Sequence, residues 1–294
     1  MKKTAVTIVG TKLEDSLIRQ AAEIVKSTGV EGLEIRNLHL GRAVDIIVQG
    51  ENSALSQLLL QKLQNLGSYD IFVQADDVFR KKRLLVADMD ATMVEGETLD
   101  ELADHLGIKD KIAPITARAM RGELDFHEAL RQRIKLLKGL SVSAIFETVD
   151  KMRYAQGAES LIRGMNRNGA KCILISGGFD FFTRRAADHL GFWKNFGNTL
   201  EISDDRLTGE VIPPIVDKDV KKNTLKDEAA KLNIDPRHVM AVGDGANDIP
   251  MLQAAGVGVG YFGKPAVQAA TPFQIRHTDL MAMFYMQGYA ISEA

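Results

Sequence analysis

Apolar and polar positions along residues 1–76 follow two different periods. Thr4–Val9, Leu33–Leu38, Val44–Gln49 and Tyr69–Gln74 are short runs with the length and composition of strands. Glu14–Thr28 instead places Leu17, Ile18, Ala21, Ile24 and Val25 on one helical face and stops at Gly29. Ser53–Leu66 repeats the helical spacing and stops at Gly67, and a turn is expected near Gly41. The order βαββαβ predicts a split βαβ unit of the α+β class. Residues 76–82 are polar and end in the basic run Arg80-Lys81-Lys82-Arg83, which reads as a linker with a solvated charged face.

The pattern changes after residue 82. Leu84–Ala87 is a continuous apolar run, short enough for a strand buried on both faces. Four helical segments follow, at Glu97–Leu106, Ile108–Arg121, Phe126–Leu137 and Ser143–Met152, with breaks at Gly107, Gly122 and Gly139. Asp125 and Ser141 are placed to cap the third and fourth. So long an insertion between strands suggests a lid. Beyond it, strands at Lys171–Ile175, Val239–Val242 and Val257–Gly260 alternate with helices at Glu159–Asn168, Phe181–Leu190, Val220–Leu232 and Ile249–Ala255. Thr199–Ile202 and Arg206–Val211 flank Asp204-Asp205 as a hairpin, and Phe273–Arg276 is a further strand candidate. Alternation of this kind predicts a mostly parallel, doubly wound α/β sheet.

Composition adds little beyond a globular protein. The 294 residues are 45% hydrophobic and 26% charged, with a net charge of −2 that offers no general field for nucleic acid. No apolar stretch approaches membrane-spanning length, and the apolar run at the N-terminus ends by Gly10, too short for a signal-peptide core. The single cysteine, Cys172, allows no internal disulfide framework. The expectation is a cytoplasmic protein.

Three predicted strands end in polar residues. They are Asp88 and Asp90, Ser176-Gly177-Gly178, and Asp244 with Asn247 and Asp248. In one parallel sheet all three ends face one crevice. Carboxylates gathered there repel and raise one another's pKa unless a cation holds them. Oxygen ligands without a cysteine or histidine cluster favour Mg²⁺ over zinc. Ser-Gly-Gly between a strand and a helix offers backbone N–H groups to an anion. The chemistry implied is phosphoryl transfer through a carboxylate nucleophile. Asp88 beside a metal stays ionised, and Asp90 can share a proton.

The motifs DMDAT, Ser176-Gly177-Gly178-Phe179-Asp180, a later lysine and GDGAND, in that order from Leu84 to Asp279, resemble the haloacid dehalogenase-like hydrolase superfamily. More narrowly they resemble its branch acting on phosphoserine. The resemblance implies a Rossmann-like core at 77–96 and 156–294, a helical cap at 97–155, and an ACT-like, ferredoxin-like unit at 1–76. It implies Mg²⁺-dependent hydrolysis of O-phospho-L-serine through an aspartyl-phosphate, the last step of serine biosynthesis. Carried over by position, Asp88 is the nucleophile and Asp90 the proton donor. The metal falls to the Asp88 and Asp244 side chains and the Asp90 carbonyl, with Asp248 behind. Ser176, Gly177 and Lys221 hold the phosphate, although spacing alone does not separate Lys221 from Lys222. Asn247 matches a substrate contact, Glu97 the ammonium site and Arg133 the carboxylate site. Met120 and Phe126 match apolar pocket positions. One departure is Ala91, where that branch usually has serine, while Thr92 of the superfamily pattern is kept. The N-terminal unit suggests a homodimer or amino-acid sensing.

Competing motifs fail on chemistry. Cys172 lacks the arginine six positions on that a cysteine phosphatase loop needs, since Gly178 stands there. Gly258–Gly263 fits GxGxxG with too little chain after it, and Pro265 replaces the hydroxyl residue of a P-loop. The six histidines form no metal-spaced pair. The alternatives kept open are hydrolysis of another small phosphomonoester, phosphate transfer to an alcohol such as homoserine, and a non-catalytic amino-acid-binding regulator.

Overall fold

The structure, a computed structural model, describes residues 2–120 and 123–294. The first unit comprises β1 (Lys3–Val9), α1 (Asp15–Lys26), β2 (Glu34–His39), β3 (Ala43–Gln49), α2 (Ser53–Leu63) and β4 (Asp70–Ala75). Its antiparallel sheet has the order β2-β3-β1-β4, as the βαββαβ pattern predicts. The helices cover one face, where Ala21, Val25, Leu59 and Leu63 meet Val6, Ile8, Ile46 and Val48.

The second unit begins at β5 (Leu84–Ala87) and continues through α3 (Thr98–His105), α4 (Lys109–Met120), α5 (Phe126–Lys135) and α6 (Val142–Val149). Then follow α7 (Ala158–Arg167), β6 (Lys171–Phe179), α8 (Asp180–Leu190), β7 (Lys194–Ser203), β8 (Arg206–Ile212) and α9 (Lys218–Lys231). The chain closes with β9 (Val239–Gly243), α10 (Ile249–Ala254), β10 (Val257–Tyr261), α11 (Pro265–Ala270), β11 (Phe273–Ile275) and α12 (Ala282–Tyr285). The sheet order is β11-β10-β9-β5-β6-β7-β8, parallel except for the β7–β8 hairpin. β5 is central, and each of its residues is fully buried, which its unbroken apolar run required. The hairpin turns on Asp204 and Asp205, both at positive φ (50° and 57°), the geometry that matches the twist of the flanking strands.

Helices α3–α6 form the cap. Asp125 and Ser141 accept from the Glu128 and Ala144 N–H groups, capping α5 and α6. The cap is seated on the hairpin by Gly139 N–H to Leu207 O and Leu207 N–H to Leu140 O, both 2.8 Å. The break expected at Gly122 lies outside the described residues.

Two readings from sequence change. The run Arg80–Arg83 is only in part a solvated face, because Lys81 and Arg83 are exposed while Arg80 and Lys82 are buried. Arg80 is 4% exposed, and its guanidinium lies 2.7 Å from Asp45 Oδ2 and 2.9 Å from Asp76 Oδ1. Lys82 is also buried, donating to the carbonyls of Phe79 and Arg237. These contacts link the two units, because partners distant in sequence supply the acceptors. The second change concerns β6, which runs on through Ser176-Gly177-Gly178 to Phe179 with a register shift, instead of ending at Ile175. Near the C-terminus, the apolar stretch Met281–Met286 contains α12. It lies against β1 and β3, and one apolar cluster includes Val9, Ala43 and Phe72 together with Tyr285 and Met286.

Candidate active site

The C-terminal ends of β5, β6 and β9 meet under the cap. Asp88 follows β5 directly, its N–H bonded to Val242 O on β9 at 3.0 Å. Asp244 follows β9, and Asp248 opens α10. A carboxylate oxygen from each of the three lies within 4.8 Å of the other two. Gly243 permits this approach, since a Cβ there would come within 2.6 Å of Asp248 carbons.

Lys221, on the first turn of α9, is 1% exposed. Its ammonium donates to Asp88 Oδ1 at 2.5 Å and to Asp248 Oδ1 at 2.8 Å. The structure thus separates Lys221 from its neighbour Lys222, which stays partly exposed. Burial opposes the charge on Lys221, yet Asp88 and Asp248 hold its pKa above the usual lysine value. Asp88 is pushed well up, first by burial and then by the Asp248 charge, with Lys221 pulling the other way. Burial also raises Asp244, against the pull of Lys264.

This electrostatic pattern is the test of whether a cation fits. Lys221 engages Asp88 Oδ1, and Lys264 lies 3.0 Å from Asp244 Oδ2. The second oxygen of each carboxylate has no protein partner among the described residues. Both Asp248 oxygens are engaged, Oδ1 by Lys221 and Oδ2 by the Gly245 N–H, which fits a supporting place behind the ligands. The donors are hard oxygens with surplus negative charge, and the cluster could hold a divalent metal.

Asp90 is held on both sides. Thr98 N–H, at the start of α3, donates to its Oδ1 at 2.8 Å, and Ser176 Oγ–H donates to its Oδ2 at 2.9 Å. Ser176 Oγ itself accepts from Gly178 N–H at 2.8 Å. A Cβ at Gly178 would lie 3.0 Å from Asp90 Oδ2, so the glycine keeps this approach open. Ala91 takes φ 50°, a left-handed conformation, with its N–H bonded to Gly96 O.

A cavity of about 350 Å³ opens at these groups, lined by Asp88, Asp90 and Asp244 together with Glu97, Phe126 and Arg133. Ser176, Gly177 and Asn247 also line it. Phe126 lies over Gly177, where an added Cβ would be 3.3 Å from its ring. The Met120 side chain lies outside the described residues. Arg133 is partly buried, and burial lowers its pKa. Its Nε–H donates to Ala129 O within its own helix, and no ion pair of its guanidinium occurs among the described residues. Glu97 has just over half its side chain accessible, yet its carboxyl is pushed up to about 7. Partial burial is the largest cause and the Asp90 charge the next, with Lys264 opposing.

The structure also brings in residues that the sequence reading missed. Asn198, fully buried on β7, donates to Gly177 O at 2.7 Å and accepts from Val216 N–H at 2.8 Å, bracing the glycine loop. His127 Nε2 on the cap lies 2.9 Å from Asp217 Oδ2 on the core, and Asp217 also caps the helix carrying Lys221. Lys264 reaches the site from the loop after β10. These side chains stand alone in sequence, so no motif announces them.

Residues 85–253 match the model of the haloacid dehalogenase-like hydrolases. The chain belongs to this family of hydrolases, and its α/β core with inserted cap is the family's fold. Among curated relatives, the phosphoserine phosphatase of Archaeoglobus fulgidus is 39% identical over 236 residues, covering 80% of this chain and 68% of that protein. The phosphoserine phosphatase of Saccharomyces cerevisiae is 32% identical across 100% of this chain and 98% of its own length. A solved structure described as a phospho-aspartyl intermediate analogue of phosphoserine phosphatase superposes with a TM-score of 0.65. It is 33% identical and covers 70% of this chain and 98% of that one.

Proposed function

We propose that the chain hydrolyses O-phospho-L-serine to L-serine and phosphate through a phosphorylated Asp88, with Mg²⁺ as cofactor. The observation that carries this reading is that one cavity is lined both by the aspartate pair and by Glu97 and Arg133. A phosphate at the aspartates leaves the amino-acid end of the ester among one carboxylate and one guanidinium. The relatives carry the phosphoserine phosphatase name, and one structural neighbour is an analogue of the phospho-aspartyl state.

A bound Mg²⁺, held by Asp88, Asp244 and the Asp90 carbonyl, would supply charge neutralisation at the phosphoryl oxygens. The Asp88 carboxylate attacks phosphorus, and the ester P–O bond breaks. Asp90 gives the leaving serine oxygen its proton. The hydrogen bonds support one oxygen as its carrier. A backbone N–H can only donate, so Thr98 keeps Oδ1 an acceptor. The Ser176 hydroxyl, which donates to Oδ2 in this structure, can turn to accept, so Oδ2 is the oxygen free to take the proton. Asp90 then takes a proton from water as the aspartyl-phosphate is hydrolysed. Lys221 and the Ser176–Gly177 backbone hold the phosphate, and Asn247 contacts the substrate. Arg133 offers a bidentate fork to the substrate carboxylate, and Glu97 receives its ammonium.

We read residues 1–76 as an ACT-like appendage. One face of its sheet is packed on α12, so a homodimer through this unit would use its helices or the exposed β2 edge. No helix among the described residues is long and apolar enough to cross a membrane. The buried Cys172 thiol suits a reducing cytoplasm, where serine synthesis would place the enzyme. Phosphate release from a panel of phosphoesters tests the reading. Asp88→Asn should abolish release. Arg133→Ala should raise KM for phosphoserine about tenfold or more, the loss of a charged bidentate contact, and leave KM for an aryl phosphate nearly unchanged. Equal losses on both substrates would remove the specificity role, and full activity in Asp88→Asn would remove the nucleophile.

A further inference from the structure

The loop between β10 and α11 is built with care for one side chain. Phe262 takes φ 44°, a costly conformation for a bulky residue, and persists because its N–H bonds Ile275 O at 2.8 Å. Lys264 N–H then bonds Asp244 O at 2.9 Å, and Gln268 Nε2–H holds Gly263 O at 2.7 Å. Strain of this kind gathers where a group must be placed. The group placed is the Lys264 ammonium. It lies 3.0 Å from Asp244 Oδ2 and 3.8 Å from Glu97 Oε1, on the cavity lining. Glu97 precedes α3, so the pair spans core and cap.

We infer that Lys264 is a specificity-determining residue, a resident cation that competes with the substrate ammonium for Glu97. This rests on the reading of Glu97 as the ammonium site. A carboxylate already facing one ammonium attracts a second less strongly, and the two like charges repel across a few ångströms. The lysine therefore weakens the hold on any amine-bearing ligand, including the L-serine that must leave. A ligand without an ammonium does not enter this competition. Asp244 gives Lys264 an alternative partner, so the lysine can yield Glu97 without being left uncompensated.

The test compares Lys264→Met, Lys264→Arg and Glu97→Gln in the full chain. The readouts are the KM ratio of phosphoserine to an aryl phosphate and the inhibition constant of L-serine. Taking the ratio cancels effects passed through Asp244 to both substrates alike. Lys264→Met should lower the ratio and the L-serine inhibition constant about two- to fivefold, the scale of a half-exposed ion pair. Lys264→Arg, which keeps the charge, should stay near the parent ratio. Glu97→Gln should raise the ratio, and Lys264→Met added to it should lower the ratio by a smaller factor than in the parent, since only the direct repulsion is then relieved. A raised ratio in Glu97→Gln with no fall in Lys264→Met overturns the competition alone. An unchanged ratio in Glu97→Gln overturns the ammonium site and the competition together.

Discussion

Replacing Lys221 by methionine removes the one ammonium lodged between Asp88 and Asp248 while keeping an unbranched apolar stem. The parent contacts are 2.5 and 2.8 Å, and the lysine is 1% exposed. Stripping one partner from a buried ion pair costs about 3–5 kcal/mol. Here the two acids left behind can escape part of that cost by sharing a proton, so the loss depends on pH. Asp88 already has a folded pKa well above its ordinary 3.8, through burial and then Asp248. A raised carboxyl pKa contributes favourably below the unfolded value, and that contribution is lost as pH rises through the folded one. Lys221 pulls the Asp88 pKa down, so its removal widens this window upward. Urea unfolding in chelator should show about 3–5 kcal/mol lost at pH 8 and clearly less at pH 5. A divalent cation at a hundred times its Kd should return about 2.7 kcal/mol. Turnover should fall about 10²–10³-fold, as when one preorganised charge donor is lost. The same loss at both pH values, or none at either, would show that the ammonium does not compensate these carboxylates.

Glu97, pushed up to about 7, is neutral below that pH and cannot then pair with an ammonium. The KM ratio of phosphoserine to aryl phosphate should rise as pH falls from 8 to 6, and a flat ratio would contradict the assignment. Arg80→Met should destabilise the chain by about 3–5 kcal/mol by urea unfolding, since Asp45 is left buried with only Thr7 as donor. An unchanged midpoint would mean that the buried pair between the units contributes little.

What could be read from the chain follows the physics of each element. β5 was legible because a central parallel strand must be apolar at every position, and Asp88 and Asp90 stand out directly after it. Asp244 was legible for the same reason after β9, and Ser176 because it follows the apolar run Cys172–Ile175 within β6. The burial of Arg80 was not, since it depends on Asp45 of a different strand, and a basic run looks identical whether solvated or paired. Asn198 braces a glycine loop 21 residues earlier, and Lys264 reaches Glu97 from the core loop after β10. Neither contact has a sequence period. α12 has only four residues, too few for helical periodicity to register.

The most direct measurement is rapid acid quench of the enzyme mixed with phosphoserine labelled on its phosphate, followed by peptide mapping. The account predicts one transient label per chain, carried on the peptide containing Asp88 and absent from Asp88→Asn. Turnover without any labelled protein, or a label on another residue, would contradict it.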